Sequence, residues 1–353
     1  MTAMQKAFKW SILLLVPALG LGTWASWNWW NNAIAPAQAI VPSATKTVPL
    51  HIKSGTAAQQ IGHQLETAGL IRSSQAWNMW ARWLQWQNPQ GGFKAGNYQL
   101  SPNQPMQDIA QKIWQGEVTQ LSYTIPEGWS LRQMAEYFEK QGFFSAQDFL
   151  TEASQIPRSE YPWLPDNLPH LEGFLYPDTY KLNGDSVTPK VIIQQMLNQF
   201  QQVALPVYEA QKSQTDLNLL EWVTLGSIVE KEAVIPQERS RIAGVFTARL
   251  RKGMLLQTDP TVEYALNIRQ TVDQPLTFAQ IKVASPYNTY VNPGLPPTPI
   301  ASPGIASLKA ALAPEDTSYL YFVARYDGTH VFSRTLSEHT AAQVAIRKQQ
   351  SAN

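Results

Sequence analysis

Cysteine is absent from the 353 residues. That excludes disulfide frameworks, thiolate zinc sites, iron–sulfur clusters and cysteine nucleophiles together. Charge is scarce: 15% of residues are Asp, Glu, Lys or Arg, against about 25% in an ordinary soluble domain. A chain this poor in charge and 44% hydrophobic is not a highly charged disordered protein. The 27 basic and 26 acidic residues leave a net charge of +1. No concentrated basic surface therefore points to nucleic acid. The five histidines are scattered, so neither a metal cluster nor a cofactor is expected. Aromatic rings, by contrast, are plentiful, with 13 Trp and 13 Tyr. Such rings fill cores, line sugar grooves or sit at membrane interfaces. The length leaves room for two or three domains, one of them large enough for an enzyme core.

The N-terminal segment predicts where the chain resides. Lys6 and Lys9 precede a stretch from Trp10 to Thr45 with no Asp, Glu, Lys or Arg. Its apolar part, residues 10–30, would reach roughly 31 Å as a helix, enough to cross a bilayer core. Trp24, Trp27, Trp29 and Trp30 crowd its far end, where an interfacial aromatic belt belongs. The two lysines assign residues 1–9 to the cytoplasm and the rest to the far side of a plasma membrane. A cleavable signal peptide ending at Ala37-Gln38-Ala39 is the rival reading, and it exports the same body. Residues 31–46, rich in Ala, Pro, Ser and Thr, read as a linker.

A half-motif then occurs twice. HIKSGTAAQQIGHQLETAGLI from His51 matches TIPEGWSLRQMAEYFEKQGFF from Thr124, at an offset of 73. Gly55 aligns with Gly128, Ile61 with Met134 and Gly69 with Gly142. Each copy predicts a short strand, a glycine turn and a helix stopped by glycine. Between them lie a tryptophan-rich helix (WNMWARWLQW), a strand (FKAGNYQLS) and a helix ending at Gly116. Residues 47–119 are thus a small α+β module, and 120–353 form a second domain, also α+β.

The chemistry is concentrated between Glu172 and His339. In DLNLLEWVTLGSIVEKEAV, Asp216 is the expected N-cap and Pro236 the stop. Leu225, Ile228 and Val229 precede Glu232 by seven, four and three residues, so Glu232 ends an apolar stripe. Burial and the negative end of the helix dipole both disfavour its carboxylate. A glutamate held protonated near neutrality can serve as a general acid toward a glycosidic oxygen. The bland alternative is an ion pair with Arg239 or Arg241. Further on, SPYNTYVNPGLPPTPIASPG places Tyr287, Asn288, Thr289 and Tyr290 together in a proline-rich loop. Their rings, hydroxyls and amide suit a sugar, or simply a rigid structural loop.

Four blocks carry a family resemblance: LEGFLYPDTY, IVEKEAVIPQERSRIAGVFTARLRKGMLLQTDPTVEYAL, the SPYNTY…PG loop and YLYFVARYDGTHVFSRTLSEH. In sequence and order they resemble the YceG-like family of endolytic murein transglycosylases. The resemblance covers essentially the whole chain. It implies that residues 47–119 are a LysM-like module and 120–353 the catalytic domain, with Glu232, the second glutamate of the E-K-E triplet, as the catalytic acid. The implied reaction cuts peptidoglycan glycan strands internally, between N-acetylmuramic acid and N-acetylglucosamine. It leaves 1,6-anhydromuramic ends and terminates new strands beside the peptidoglycan synthases. Gln257, Asp259, Tyr287, Asn288, Thr289 and Tyr290 are expected to line the cleft, and Glu172 to hold it together with Ser333 and Glu338. Thr298 and Thr340 depart from the family pattern.

Three other readings compete. A membrane-anchored glycan-binding scaffold would use the LysM-like module and the rings without catalysis. A muramidase that uses water would need a second poised carboxylate, Asp259 or Glu263. A zinc hydrolase on His330, Glu338 and His339 lacks the ligand spacing of known motifs.

Overall fold

The structure is a computed structural model that describes residues 23–38, 47–118, 121–182, 187–271, 274–325 and 327–350. The expected cytoplasmic tail (1–9), residues 10–22 of the expected span and residues 39–46, half of the expected linker, lie outside these. Among the described residues no helix is long and apolar enough to cross a membrane. Residues 23–34 are helical, so the helix runs past Trp30 into residues whose composition reads as linker. It persists there because Ala33 is buried and Trp30 and Ile34 pack against the core of the first unit.

The architecture is α+β, with three two-stranded sheets among the described residues. The chain divides into two compact units, the first running up to Ser122 with Lys181 and Leu182. In it, β1 (Val48–Ile52) and β2 (Gly96–Leu100) pair antiparallel, with Val48 opposite Leu100 and Ile52 opposite Gly96. Three helices pack on this ribbon: α1 (Ala58–Thr67), α2 (Ser74–Gln87) and α3 (Met106–Gln115). Ile52, Ile61, Leu65, Trp77, Tyr98, Ile109 and Ile113 form their common core. The polar ends of its rings are satisfied: Trp77 Nε1 donates to Ala58 O at 2.8 Å and Tyr98 Oη to Lys94 O at 2.8 Å. Ser73 caps α2 by accepting from Ala76 N.

The second unit, Tyr123–Tyr180 with Val187–Asn353, begins with the repeated half-motif. β3 (Leu121–Thr124) leads through Gly128 into α4 (Leu131–Lys140), capped by a reciprocal box between Ser130 and Gln133. In both copies the stopping glycine is left-handed, at φ 69° for Gly69 and 75° for Gly142, a conformation that costs glycine little. The surroundings differ. β3 pairs with β4 (Thr179–Leu182), far along the chain, and α5 (Ala146–Ala153) packs beside α4.

The heart of the unit is α8 (Leu219–Glu232), which follows α6 (Pro189–Val203) and α7 (Leu205–Gln211). Its N-cap is Asn218 rather than Asp216. Asn218 Oδ1 accepts from Glu221 N at 2.9 Å, and Glu221 Oε2 accepts from Asn218 N, also at 2.9 Å. A reciprocal box satisfies two free amides, which Asp216 would reach only if the helix began two residues earlier. α8 packs on α11 (Ile305–Leu312) at Gly226, where a Cβ would lie 2.9 Å from Leu308 Cδ2. Trp222 Nε1 donates to Leu308 O at 2.8 Å across the same contact. α9 (Arg239–Arg251), α10 (Asp259–Leu266), the hairpin of β5 (Tyr321–Ala324) with β6 (His330–Ser333), and α12 (Leu336–Gln350) complete the unit.

Candidate active site

Glu232 is the last residue of α8. Leu225, Ile228 and Val229, the stripe that leads to it, are all fully buried. The glutamate itself retains some solvent contact, but its carboxyl is packed about closely enough that desolvation dominates. Desolvation pushes its pKa up to about 7, and the negative charges of Asp259 and Glu263 act in the same direction. A hydrogen bond from Thr258 Oγ1 opposes them. Neither arginine of the bland reading pairs with it. Arg239 reaches Glu230, Nη2 to Oε1 at 3.8 Å, and Arg241 donates to both Glu315 oxygens at 2.9 and 3.1 Å.

Thr258 explains how the acid is held. It occupies the N-cap position of α10 but makes no capping bond, because its hydroxyl is given to Glu232. The preceding Gln257 is exposed and left-handed at φ 52°, unusual for a non-glycine residue and characteristic of functional sites. The loop from Ser285 holds this turn. Gln257 N donates to Thr289 O at 3.1 Å and Thr258 N to Thr289 Oγ1 at 3.1 Å. Thr261 Oγ1 lies 2.9 Å from the same Thr289 hydroxyl.

The neighbouring carboxylates are engaged. Asp259 accepts from Tyr290 Oη at 2.5 Å and from Gln270 Nε2 at 3.2 Å. Glu263 accepts from Gln270 N at 2.8 Å. Burial and the bond to Asp259 both hold the Tyr290 phenol neutral, and the charge of Glu232 adds to this. Tyr287 is part-buried, its hydroxyl 2.8 Å from that of Thr298. The departure at 298 thus brings a buried hydroxyl with a partner. Asn288 is fully buried. Its amide donates to Ile281 O and Val283 O at 3.1 and 2.9 Å, and its oxygen accepts from Tyr290 N at 2.9 Å. It is the internal tie of the loop, which stiffens the segment carrying Thr289 and Tyr290.

Glu172 is almost fully buried. Its oxygens accept from Leu131 N at 3.0 and 3.1 Å, and Oε2 also from Tyr264 Oη at 3.1 Å. Desolvation nevertheless outweighs these bonds and pushes its pKa up to about 8. It links α4 to α10, whose Tyr264 ring lies 4.9 Å from that of Tyr287. Ser333 is buried at the end of β6, where its carbonyl accepts from Leu320 N, whereas Glu338 is exposed and accepts from Arg334 N at 2.8 Å. His330 Nδ1 lies 2.6 Å from Glu238 Oε2, and the His339 ring stacks on Tyr321. Among the described residues no three His, Asp or Glu side chains are placed to hold a metal ion.

A cleft of about 260 Å³ opens beside the cluster, with Arg132, Lys231, Glu263 and Tyr264 in its walls. A larger cavity of about 1050 Å³, bordered by Asp216, Thr247 and Ala313, shares no lining residue with the surroundings of Glu232. Size alone would therefore point away from the chemistry. Thr258, Thr261 and Tyr264 were not singled out by sequence. The available signal was Thr-Asp-Pro at a helix start, which reads as an N-cap and hides the hydroxyl's other use.

The model of the YceG-like family matches residues 50–345. A protein of Bacillus subtilis (strain 168) named endolytic murein transglycosylase is 34% identical over 312 residues, covering 84% of this chain and 84% of that one. A Streptococcus pneumoniae (D39) protein of the same name is 30% identical over 348 residues, 90% of this chain but 61% of its own length. The crystal structure of a yceG-like protein from Listeria monocytogenes superposes with a TM-score of 0.58 at 34% identity, covering 85% of this chain and all of that one. The chain belongs to the YceG-like family.

Proposed function

We propose that this chain is an endolytic lytic transglycosylase of peptidoglycan with Glu232 as its acid. The observation that carries the reading is the state of that carboxyl: desolvated, held by Thr258 and poised near neutrality. Relatives named endolytic murein transglycosylase over most of the chain support the same activity.

The chemistry follows from one such group. Protonated Glu232 donates to the oxygen that leaves the muramic acid anomeric carbon. The bond between that oxygen and C1 breaks, and positive charge develops on the ring. The 6-hydroxyl of the same muramic acid then attacks C1 while Glu232, now a carboxylate, takes its proton. The product is a 1,6-anhydromuramic end and a free 4-hydroxyl on the departing N-acetylglucosamine. An intramolecular nucleophile gains a high effective molarity, so no second carboxylate is needed to activate water. The engagement of Asp259 by Tyr290 and Gln270, and of Glu263 by the Gln270 amide, fits that economy. Tyr287 and Tyr290 with Gln257 and Asp259 form one wall of the glycan cleft; the buried Thr289 and Asn288, with Glu172, Ser333 and Glu338, hold its shape.

Residues 10–30 anchor the chain in a plasma membrane with residues 1–9 cytoplasmic, and the LysM-like module at 47–119 and the catalytic domain at 120–353 face the wall. There the enzyme would cut nascent strands near the synthases that make them. The test is digestion of peptidoglycan by the full chain, wild type beside Glu232→Gln, with fragments weighed by mass spectrometry. Internal fragments one water lighter than hydrolysis products are expected from wild type only. Hydrated reducing ends would make it a muramidase, and binding without cleavage a scaffold.

A further inference from the structure

Large apolar side chains clustered on a surface mark a contact with something other than water. In the first unit α2 exposes three of them: Met79 at 54%, Trp83 at 40% and Trp86 at 78%. Steps of four and three residues put them on one side of the helix. Ala76, Trp77 and Ala81, on the side facing the unit, are buried. The helix at 23–34 adds Trp24 and Trp27, each 66% exposed. A chain of rings joins the two helices: Trp29 to Trp30 at 6.4 Å, Trp30 to Trp80 at 6.5 Å and Trp80 to Trp83 at 4.5 Å. Arg72 fastens the same junction, donating to Asn32 Oδ1 and, at 2.7 Å, to Pro36 O.

We propose that the Met79–Trp83–Trp86 face of α2 lies in the headgroup layer of the membrane that carries the anchor, its rings at the boundary with the acyl chains. The inference rests on the anchor reading. If Trp29 and Trp30 end the span, the ring chain puts α2 at the bilayer surface. Tryptophan is the side chain that favours this layer, with an apolar body and one N–H donor. α2 has 14 residues, about 21 Å as a helix. That is short of a hydrocarbon core of roughly 30 Å, so the helix lies in the plane rather than across it. α2 holds no carboxylate, and its one charge is Arg82, next to Trp83. A guanidinium there can meet lipid phosphates while its stem follows the apolar face. The first unit is then a membrane-seated body, not one swinging on a free tether.

The absence of cysteine makes the test clean, since a single introduced thiol is the only label site. Met79→Cys, Trp86→Cys, Leu14→Cys and Lys212→Cys are each made in the full chain. They are labelled with an environment-sensitive nitrobenzoxadiazole and reconstituted in phosphatidylcholine–phosphatidylglycerol vesicles. Half of the vesicles carry a nitroxide lipid. The expected result is blue-shifted emission at 14, 79 and 86, quenched by the nitroxide, with neither effect at 212. Quenching at 14 alone would overturn the inference and leave the anchor standing. No quenching at 14, 79 or 86 would overturn both. A blue shift at 79 and 86 without quenching would mean that protein, not lipid, covers the face, and would also overturn it.

Discussion

Glu172 and Glu232 are both desolvated glutamates with pKa values pushed well above the ordinary range, to about 8 and about 7. Their surroundings divide their roles. Glu172 is closed off and bonded on both oxygens by groups of two helices. Glu232 keeps some solvent contact, receives one hydroxyl and faces two carboxylates. The first arrangement commits the group to architecture, whereas the second leaves one oxygen without a hydrogen bond among the described residues, as the proposed acid requires. A raised pKa alone distinguishes neither; the difference lies in how many bonds are already made.

Neutralising each group in turn should separate the two roles most clearly. Glu232→Gln should lower turnover by at least about 10³-fold if the proton transfer is essential, measured on isolated strands. The same variant should be more stable than wild type at pH 8. A carboxyl whose folded pKa is raised contributes its full stability below its unfolded value of 4.5, and loses it as pH rises toward 7. Removing the charge should recover up to about 3 kcal/mol at pH 8 in denaturant melts. Glu172→Ala should instead destabilise the fold by about 2–4 kcal/mol, by emptying a buried site and stranding the Leu131 amide. Unchanged stability with lost activity would move Glu172 into the chemistry.

Smaller effects are expected at Thr258 and Gln257. Thr258→Val removes the bond that favours the Glu232 carboxylate, so the acid should stay protonated to higher pH. The alkaline limb of kcat/KM should move up; movement down would contradict the assigned role of Thr258. Gln257→Gly relieves a left-handed non-glycine residue and should change stability by no more than about 1 kcal/mol. A larger loss of activity than of stability would assign the side chain to substrate.

Local pattern made much of this legible. The stripe Leu225, Ile228, Val229 singled out Glu232 rather than Glu230, and the half-motif located both glycine-stopped helices. The blocks quoted around the acid, read as a resemblance, pointed to the family. Pairings between distant residues were not legible. Thr258 and Glu232 meet across 26 positions and Arg241 and Glu315 across 74, and no periodicity relates them. Asn288 illustrates a different limit. An amide in a loop can face a sugar or bind its own backbone, and only the fold, which closes Ile281 and Val283 around it, decides.

On the proposed mechanism Glu232 works as an acid that is still protonated near neutrality. The direct measurement is kcat/KM against pH on soluble glycan strands, for wild type and Asp259→Asn. Wild type should lose activity on the alkaline side with an apparent pKa near the value of about 7 set by its surroundings. Asp259→Asn removes a negative neighbour and should move that limb to lower pH. A limb that stays flat to pH 9, or one that Asp259→Asn moves upward, would contradict the account.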